Sequence, residues 1–163
     1  LNRKPKDFDV ATSARPEEIR RVFRNSRIIG RRFKLAQVFF GTKIMETSTF
    51  RASPQVSESD GEGEDGREDL LITHDNEWGT VEEDARRRDF TINAIAWDPN
   101  RQRLTDAFGG LEDLKAGVVR AVGAPLARFR EDGLRTMRAV RFAATLEFEL
   151  DAATEAAIAF SML

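Results

Sequence analysis

Asp7-Phe8-Asp9 is the sharpest chemical feature of the sequence. Side chains two positions apart on a strand project to one face, so the two carboxylates would stand together while Phe8 turns into the core. Parallel carboxylates repel unless a cation lies between them. Magnesium suits the position, because it is held by one or two carboxylates plus substrate phosphates. The alternative is a pair of exposed acids at a strand end. Glu46, in Ile44-Met45-Glu46-Thr47-Ser48-Thr49-Phe50, shares its strand face with Ile44 and Ser48. On a strand beside the first it would complete a two-metal site that clamps the attacking and leaving oxygens of a phosphoryl transfer. A plain surface position is the other reading.

Arg86-Arg87-Arg88-Asp89-Phe90-Thr91-Ile92-Asn93 forms a second constellation. Three successive arginines repel one another unless they are solvated or face an anion, and a triphosphate would satisfy them through bidentate contacts. Asp89 and Asn93 would orient those arginines or meet a ribose hydroxyl. A basic surface turn is the alternative. A third constellation is Glu131-Asp132-Gly133-Leu134-Arg135, where Asp132 and Arg135 fall at i and i+3 on one helical face. They read either as an intrahelical ion pair or as an acceptor and a donor for one base edge, with Leu134 and Met137 anchoring the helix. Arg138 follows on the same helix. The single histidine, His74, is read as incidental.

The elements that must position these residues are legible in outline. Phe8 to Thr12 has strand character. A helix with a Ser or Thr cap starts near Ser13–Glu18, with Ile19, Val22 and Phe23 on one apolar face and Arg20, Arg21, Arg24 and Arg27 mostly elsewhere. Residues 33–40 and 43–50 make a hairpin around Gly41-Thr42. The Ser-, Glu-, Asp- and Gly-rich stretch 53–69 reads as a mobile acidic loop. A short helix starts at Thr80. Strands follow at 90–97, 104–108 and 118–122, with a turn at Pro99-Asn100 and a break at Gly109-Gly110. The helical period runs from Pro125 to about Leu146, and Asp151 caps a further helix. Strands and helices mix without regular alternation, so the class is α+β.

Composition narrows the rest. The 163 residues are one ordinary domain or one plus an appendage, and 12 Phe within 40% hydrophobic residues supply a core. Charged residues reach 33% but the net charge is −2, and patches rather than totals decide nucleic-acid binding. With no cysteine, neither a disulfide framework nor a thiolate metal site can form. That fits a cytoplasmic protein, and no span-length apolar run points to a membrane. Leu1 opens on a basic run without Met and the last residues stop inside a helical pattern, so the chain is expected to be cut at both ends.

Taken in order, these stretches resemble the class II nucleotidyltransferases, which include bacterial poly(A) polymerases and CCA-adding tRNA enzymes and are distant kin of DNA polymerase beta. Lys4-Pro5-Lys6-Asp7-Phe8-Asp9-Val10-Ala11-Thr12 resembles the end of the family's metal motif, and Arg87-Arg88-Asp89-Phe90-Thr91-Ile92-Asn93-Ala94 its ribose and triphosphate motif. Asp106 to Leu114 is similar to the flexible hinge motif, and Arg128 to Arg135, continuing through Arg138 to Ala144, to the base-reading motif. The run Ile28 to Gly41 looks closer to the poly(A) polymerase branch, although Gln37 stands where that branch usually has His, and Gly133 where Pro is common. The glycine pair and Arg-Asp that precede the metal motif in the family are not in this sequence.

The resemblance implies a DNA polymerase beta-like nucleotidyltransferase head with a small mixed sheet over 1–122, followed by the start of a helical neck over 123–163. It implies Asp7, Asp9 and Glu46 as catalytic, with Asp7 and Asp9 on Mg2+. It implies nucleotide binding by Arg87, Arg88, Asp89, Asn93, Asp132, Arg135 and Arg138. The implied reaction is template-independent addition of AMP from ATP to an RNA 3′ end of an mRNA or a tRNA. A CCA-adding enzyme that also accepts CTP is the alternative, and a catalytically inactive RNA-binding module is the alternative of another class.

Overall fold

The computed structural model describes residues 7–30, 34–52 and 78–161. The acidic stretch 53–69, His74 and the first residues of the metal motif lie outside the described residues. The chain divides into two compact units, up to Asp84 and from Ala85 onward.

The first unit is built on a four-stranded sheet. Strands β1 (Asp9–Thr12), β2 (Ser26–Ile29), β3 (Leu35–Phe40) and β4 (Lys43–Thr49) lie in the order β1-β4-β3-β2. β3 and β4 form the expected hairpin, with Gly41 at φ +60 in the two-residue turn. β1 joins β4 in parallel, Asp9 opposite Glu46. The crossover between β1 and β2 is helix α1 (Pro16–Val22). Its cap differs from the expected Ser or Thr: Arg15 takes the N-cap position, Pro16 opens the helix, and the Glu18 carboxylate accepts from the Arg15 N–H at 2.7 Å. Proline is pre-set for the first helical position and lacks only a donor that would go unused there.

Alternation sorts the sheet into two faces. Ala36, Val38 and Thr47 are buried on the face that α1 covers through Ile19, only 4% exposed. The expected apolar face of α1 is narrower than the pattern suggested, since Val22 is 73% and Phe23 39% exposed. With Val10, Val38 and Met45 these two line an apolar groove of about 280 Å3. Thr49 Oγ1, buried, donates to the Ala14 carbonyl at 2.7 Å and ties β4 to the β1–α1 loop. Phe8 does not turn into the core as expected; it stands before β1 and is 65% exposed.

Helix α2 (Val81–Arg87) starts where the sequence expects, closed by a reciprocal cap. The Thr80 N–H donates to Glu83 Oε2 at 2.7 Å and the Glu83 N–H to Thr80 Oγ1 at 3.2 Å.

In the second unit the expected strand 90–97 is split. Phe90 makes a single bridge to Ala121, Thr91–Asn93 form a turn of 3-10 helix, and only β5 (Ile95–Asp98) is a strand, paired with β6 (Arg103–Asp106). Side-chain hydrogen bonds win here over strand propensity: Thr91 Oγ1 donates to Asp113 Oδ2 at 2.6 Å and Asn93 Nδ2 to Asp89 Oδ1 at 2.9 Å. The Gly109-Gly110 break opens helix α3 (Gly110–Ala116), which the sequence reading did not resolve. β7 (Val118–Val119) pairs in parallel with β8 (Glu149–Leu150).

The expected continuous helix from Pro125 to Leu146 is two helices, α4 (Pro125–Glu131) and α5 (Leu134–Leu146), parted at Asp132, whose backbone is extended at φ −152. Asp151 caps α6 (Ala152–Ser161) as expected, accepting the Thr154 N–H at 3.2 Å. Phe90, Val119, Ala121, Phe129, Ala139 and Ile158 form one core, with Phe142 edge-on to Phe90 at 5.7 Å. That core draws from both sides of residue 122. The contacts part at 84/85. Leu134 and Met137, expected to anchor the helix, are 70% and 67% exposed.

Candidate functional site

The parallel register of β1 and β4 sets Asp9 directly beside Glu46, and both are exposed. Side chains of such partners project from the same face, here the one opposite to α1. Gln37, the antiparallel partner of Glu46, donates from Nε2 to Glu46 Oε1 at 3.1 Å. Asp7 precedes β1 by two residues and is exposed. Among the described residues no three His, Cys, Asp or Glu side chains lie close enough to hold a metal together. The structure thus brings Asp9 and Glu46 together as a pair and leaves Asp7 outside the strand. Two neighbouring carboxylates with no thiol or imidazole make an oxygen-donor pair, the set that suits magnesium when substrate phosphates supply the remaining ligands.

In the second unit Asn93 and Arg138 meet on Asp89, which is 9% exposed. Its Oδ1 accepts from the Phe90 N–H and from Asn93, both at 2.9 Å, and its Oδ2 accepts from Arg138 Nε at 2.7 Å. Burying such a polar group costs free energy unless it is hydrogen-bonded in this way. Asp89 therefore orients Asn93 and Arg138. Arg87 and Arg88 close α2 and the turn after it, Arg88 exposed and Arg87 half-buried.

Asp132 and Arg135 do not sit side by side on one helix. Asp132, at the end of α4, spends Oδ1 on the Leu134 N–H at 2.9 Å. Arg135 points instead to Glu131 Oε2 at 3.0 Å and to the Arg87 carbonyl at 3.2 Å. Glu131 also takes Arg128 at 2.9 Å, and Arg128 Nε reaches the Val122 carbonyl at 3.1 Å. Glu131 and Arg128 escaped the sequence reading as site residues. Their signal was there in the spacings Arg128–Glu131 and Glu131–Arg135, i,i+3 and i,i+4.

Two further supports were not read from sequence. Asp106 accepts the Gly110 and Leu111 N–H groups at 2.8 and 2.9 Å and so caps α3. Burial pushes its pKa up, but the N–H groups of Leu111, Gly110, Phe108 and Gly109 outweigh that and hold it below the ordinary value. Arg120 joins Asp113 at 3.1 Å and also Asp151. The hydrogen bond with Asp113 raises its pKa against the effect of desolvation, helped by the charges of Asp113 and Asp151.

A mixed sheet with a carboxylate pair, followed by an arginine-rich turn held by a buried aspartate, matches a known family: residues 1–120 fit the model of the poly(A) polymerase head domain. The chain belongs to that family. Among relatives of this head domain, poly(A) polymerase I of Haemophilus influenzae is 46% identical over 156 residues, 95% of this chain and 34% of that protein. The CCA-adding enzyme of Lactobacillus helveticus is 43% identical over 158 residues, 97% of this chain and 37% of that protein. The crystal structure of the Bacillus stearothermophilus CCA-adding enzyme in complex with CTP superposes with a TM-score of 0.76 at 36% identity, covering 95% of this chain and 34% of that one. The head-domain chain thus spans about a third of the length of the relatives it matches. Among the described residues no helix is long and apolar enough to cross a membrane.

Proposed function

We propose that the protein carrying this chain is a cytoplasmic, magnesium-dependent nucleotidyltransferase that extends RNA 3′ ends with AMP from ATP, without a template. The observation that carries this reading is the 46% identity to poly(A) polymerase I over 95% of the chain. The in-register pair Asp9 and Glu46, with Asp7 ahead of it, supports the metal assignment through its all-oxygen chemistry. Magnesium, when bound there, neutralises charge on the transferring phosphate and lowers the pKa of the attacking hydroxyl.

The RNA 3′-oxygen bonds to the α-phosphorus of ATP, the bond from that phosphorus to the bridging oxygen of pyrophosphate breaks, and the hydroxyl proton is lost. The protein's part is positioning and charge. Asp7, Asp9 and Glu46 supply the anionic face. Gln37 keeps the Glu46 carboxylate turned in one direction. Arg87 and Arg88 pair with triphosphate oxygens, while Asp89 and Asn93 hold the ribose end of the site. Asp132 and Arg135 present an acceptor and a donor to adenine, and Glu131 fixes the guanidinium of Arg135. Arg138, held by Asp89, completes the nucleotide site.

A second reading, CCA addition with CTP as well as ATP, is favoured by the 43% identity to a CCA-adding enzyme and by the structural likeness to one solved with CTP. An inactive RNA-binding module would have no use for the Asp9–Glu46 pair. The deciding experiment gives the full chain an RNA primer and each nucleoside triphosphate separately, with and without Mg2+, and sizes the products. Homopolymeric A tracts are expected, and CMP incorporation would move the assignment to CCA addition. Equal extension by wild type and a folded Asp9→Ala variant would overturn both enzyme readings.

A further inference from the structure

The strand register extends the Asp9–Glu46 pair into a row across the whole sheet. Asp9 lies opposite Glu46, Glu46 opposite Gln37, and Gln37 opposite Arg27. Each strand contributes one residue, and partners in register project to the same face. The row runs from two carboxylates through a neutral amide to a guanidinium. The hydrogen bond from Gln37 to Glu46 leaves Arg27 without an acid at its cross-strand position. Arg27 is exposed, and among the described residues its side chain has no hydrogen bond or ion pair. With strands about 4.8 Å apart, its Cα lies roughly 10 Å from that of Glu46, a gap that a long side chain spans in good part.

An edge strand such as β2 often carries a charge simply to discourage pairing with another sheet. Two features favour more than that here. The residue is arginine, whose planar fork matches phosphate bidentately. It also stands on the carboxylate face, whereas Arg20 and Arg21 lie on α1, against the opposite face.

We propose that Arg27 is a further substrate-binding residue that takes a phosphate group on the carboxylate face. The phosphate is either that of the incoming nucleoside triphosphate or a phosphodiester of the RNA next to its 3′ end. This inference rests on the reaction proposed above. A polyanion held at Asp9 and Glu46 through its metal would extend along the row, away from the carboxylates and toward the one cation in it.

The test compares Arg27→Gln, Arg27→Lys and Arg20→Gln in the full chain, with folding checked by circular dichroism. KM for ATP, KM for an oligoadenylate primer and kcat are measured, together with direct binding of the same primer and of ATP. Arg27→Gln is expected to raise one of the two KM values three- to tenfold and weaken the matching binding constant, with kcat within twofold. Arg27→Lys restores most of the loss, and Arg20→Gln changes neither KM. A rise in primer KM, with the slope of log affinity against log salt shallower by about 0.7, assigns the phosphodiester. A rise in ATP KM assigns the triphosphate. Wild-type values in folded Arg27→Gln, or an equal loss in Arg20→Gln, would overturn the inference. Should wild type bind both ligands and extend nothing, the reaction falls, and the binding constants still decide the role of Arg27.

Discussion

Arg138 on α5 closes on Asp89 at 2.7 Å, joining a residue with 43% of its side chain exposed to one with only 9%. This ion pair links α5 to the turn that follows the arginine run. Removing Arg138 takes one charged donor from the carboxylate and leaves it the Phe90 N–H and Asn93, a loss on the order of 1–3 kcal/mol. Arg138→Ala is therefore expected to lower the free energy of unfolding by that amount, read from urea denaturation, and to reduce activity. Because this arginine is spent on Asp89, the ratio of kcat/KM for ATP and CTP should stay at the wild-type value. A changed ratio would mean that Arg138 itself contacts the base.

Arg135 should behave differently. Its guanidinium is held in place by Glu131 and the Arg87 carbonyl, and a group so held meets a ligand with little loss of side-chain freedom. Arg135→Ala is expected to weaken ATP use about tenfold or more and to blur the preference between ATP and CTP. Glu131→Gln, which loosens both Arg128 and Arg135, should shift the preference in the same direction by less. The measurement is kcat/KM for each nucleotide, and an unchanged ratio in Arg135→Ala would place base reading elsewhere.

Gly110 is where α3 meets the 3-10 turn. A Cβ built there would lie 2.1 Å from the Thr91 carbonyl oxygen, so backbone must move to admit it. Gly110→Ala is expected to cost about 1–3 kcal/mol, as overpacking does. Gly109 has φ +73 and open space around its position, and Gly109→Asn should be tolerated because asparagine accepts the left-handed region. Chemical denaturation of the two variants tests the contrast; equal losses would place the strain in φ and not in the contact with Thr91.

Asp106 gives α3 a dependence on acid. Its carboxyl is held below the ordinary value of 3.8 in the folded state, so its caps contribute stability that is complete above about pH 4. That contribution disappears as pH falls through the lower folded value. Wild type should exceed Asp106→Asn in stability at pH 6, and the advantage should shrink as pH falls below 3.8 and through the lower folded value. A constant difference across that range would show that the charge on Asp106 is not what holds the helix start.

Much was legible in the sequence because it is local. The β3–β4 hairpin follows from alternation around Gly41-Thr42, the start of α2 from the Thr80–Glu83 cap, and α6 from Asp151. The residue types needed for metal and triphosphate chemistry stand in short contiguous runs, so their order alone pointed to a nucleotidyltransferase head.

Partners far apart in the chain were decided by tertiary structure. No local pattern says that Glu46 pairs with Asp9 in parallel, because that register depends on a crossover through α1. The same holds for Arg138 on Asp89 and for the break at Asp132, where a carboxylate turns to the Leu134 N–H and leaves Arg135 to Glu131. The sequence determined which groups are present and which short elements carry them. Packing decided which of those groups meet, since a buried carboxylate such as Asp89 takes whichever donors the fold delivers to it.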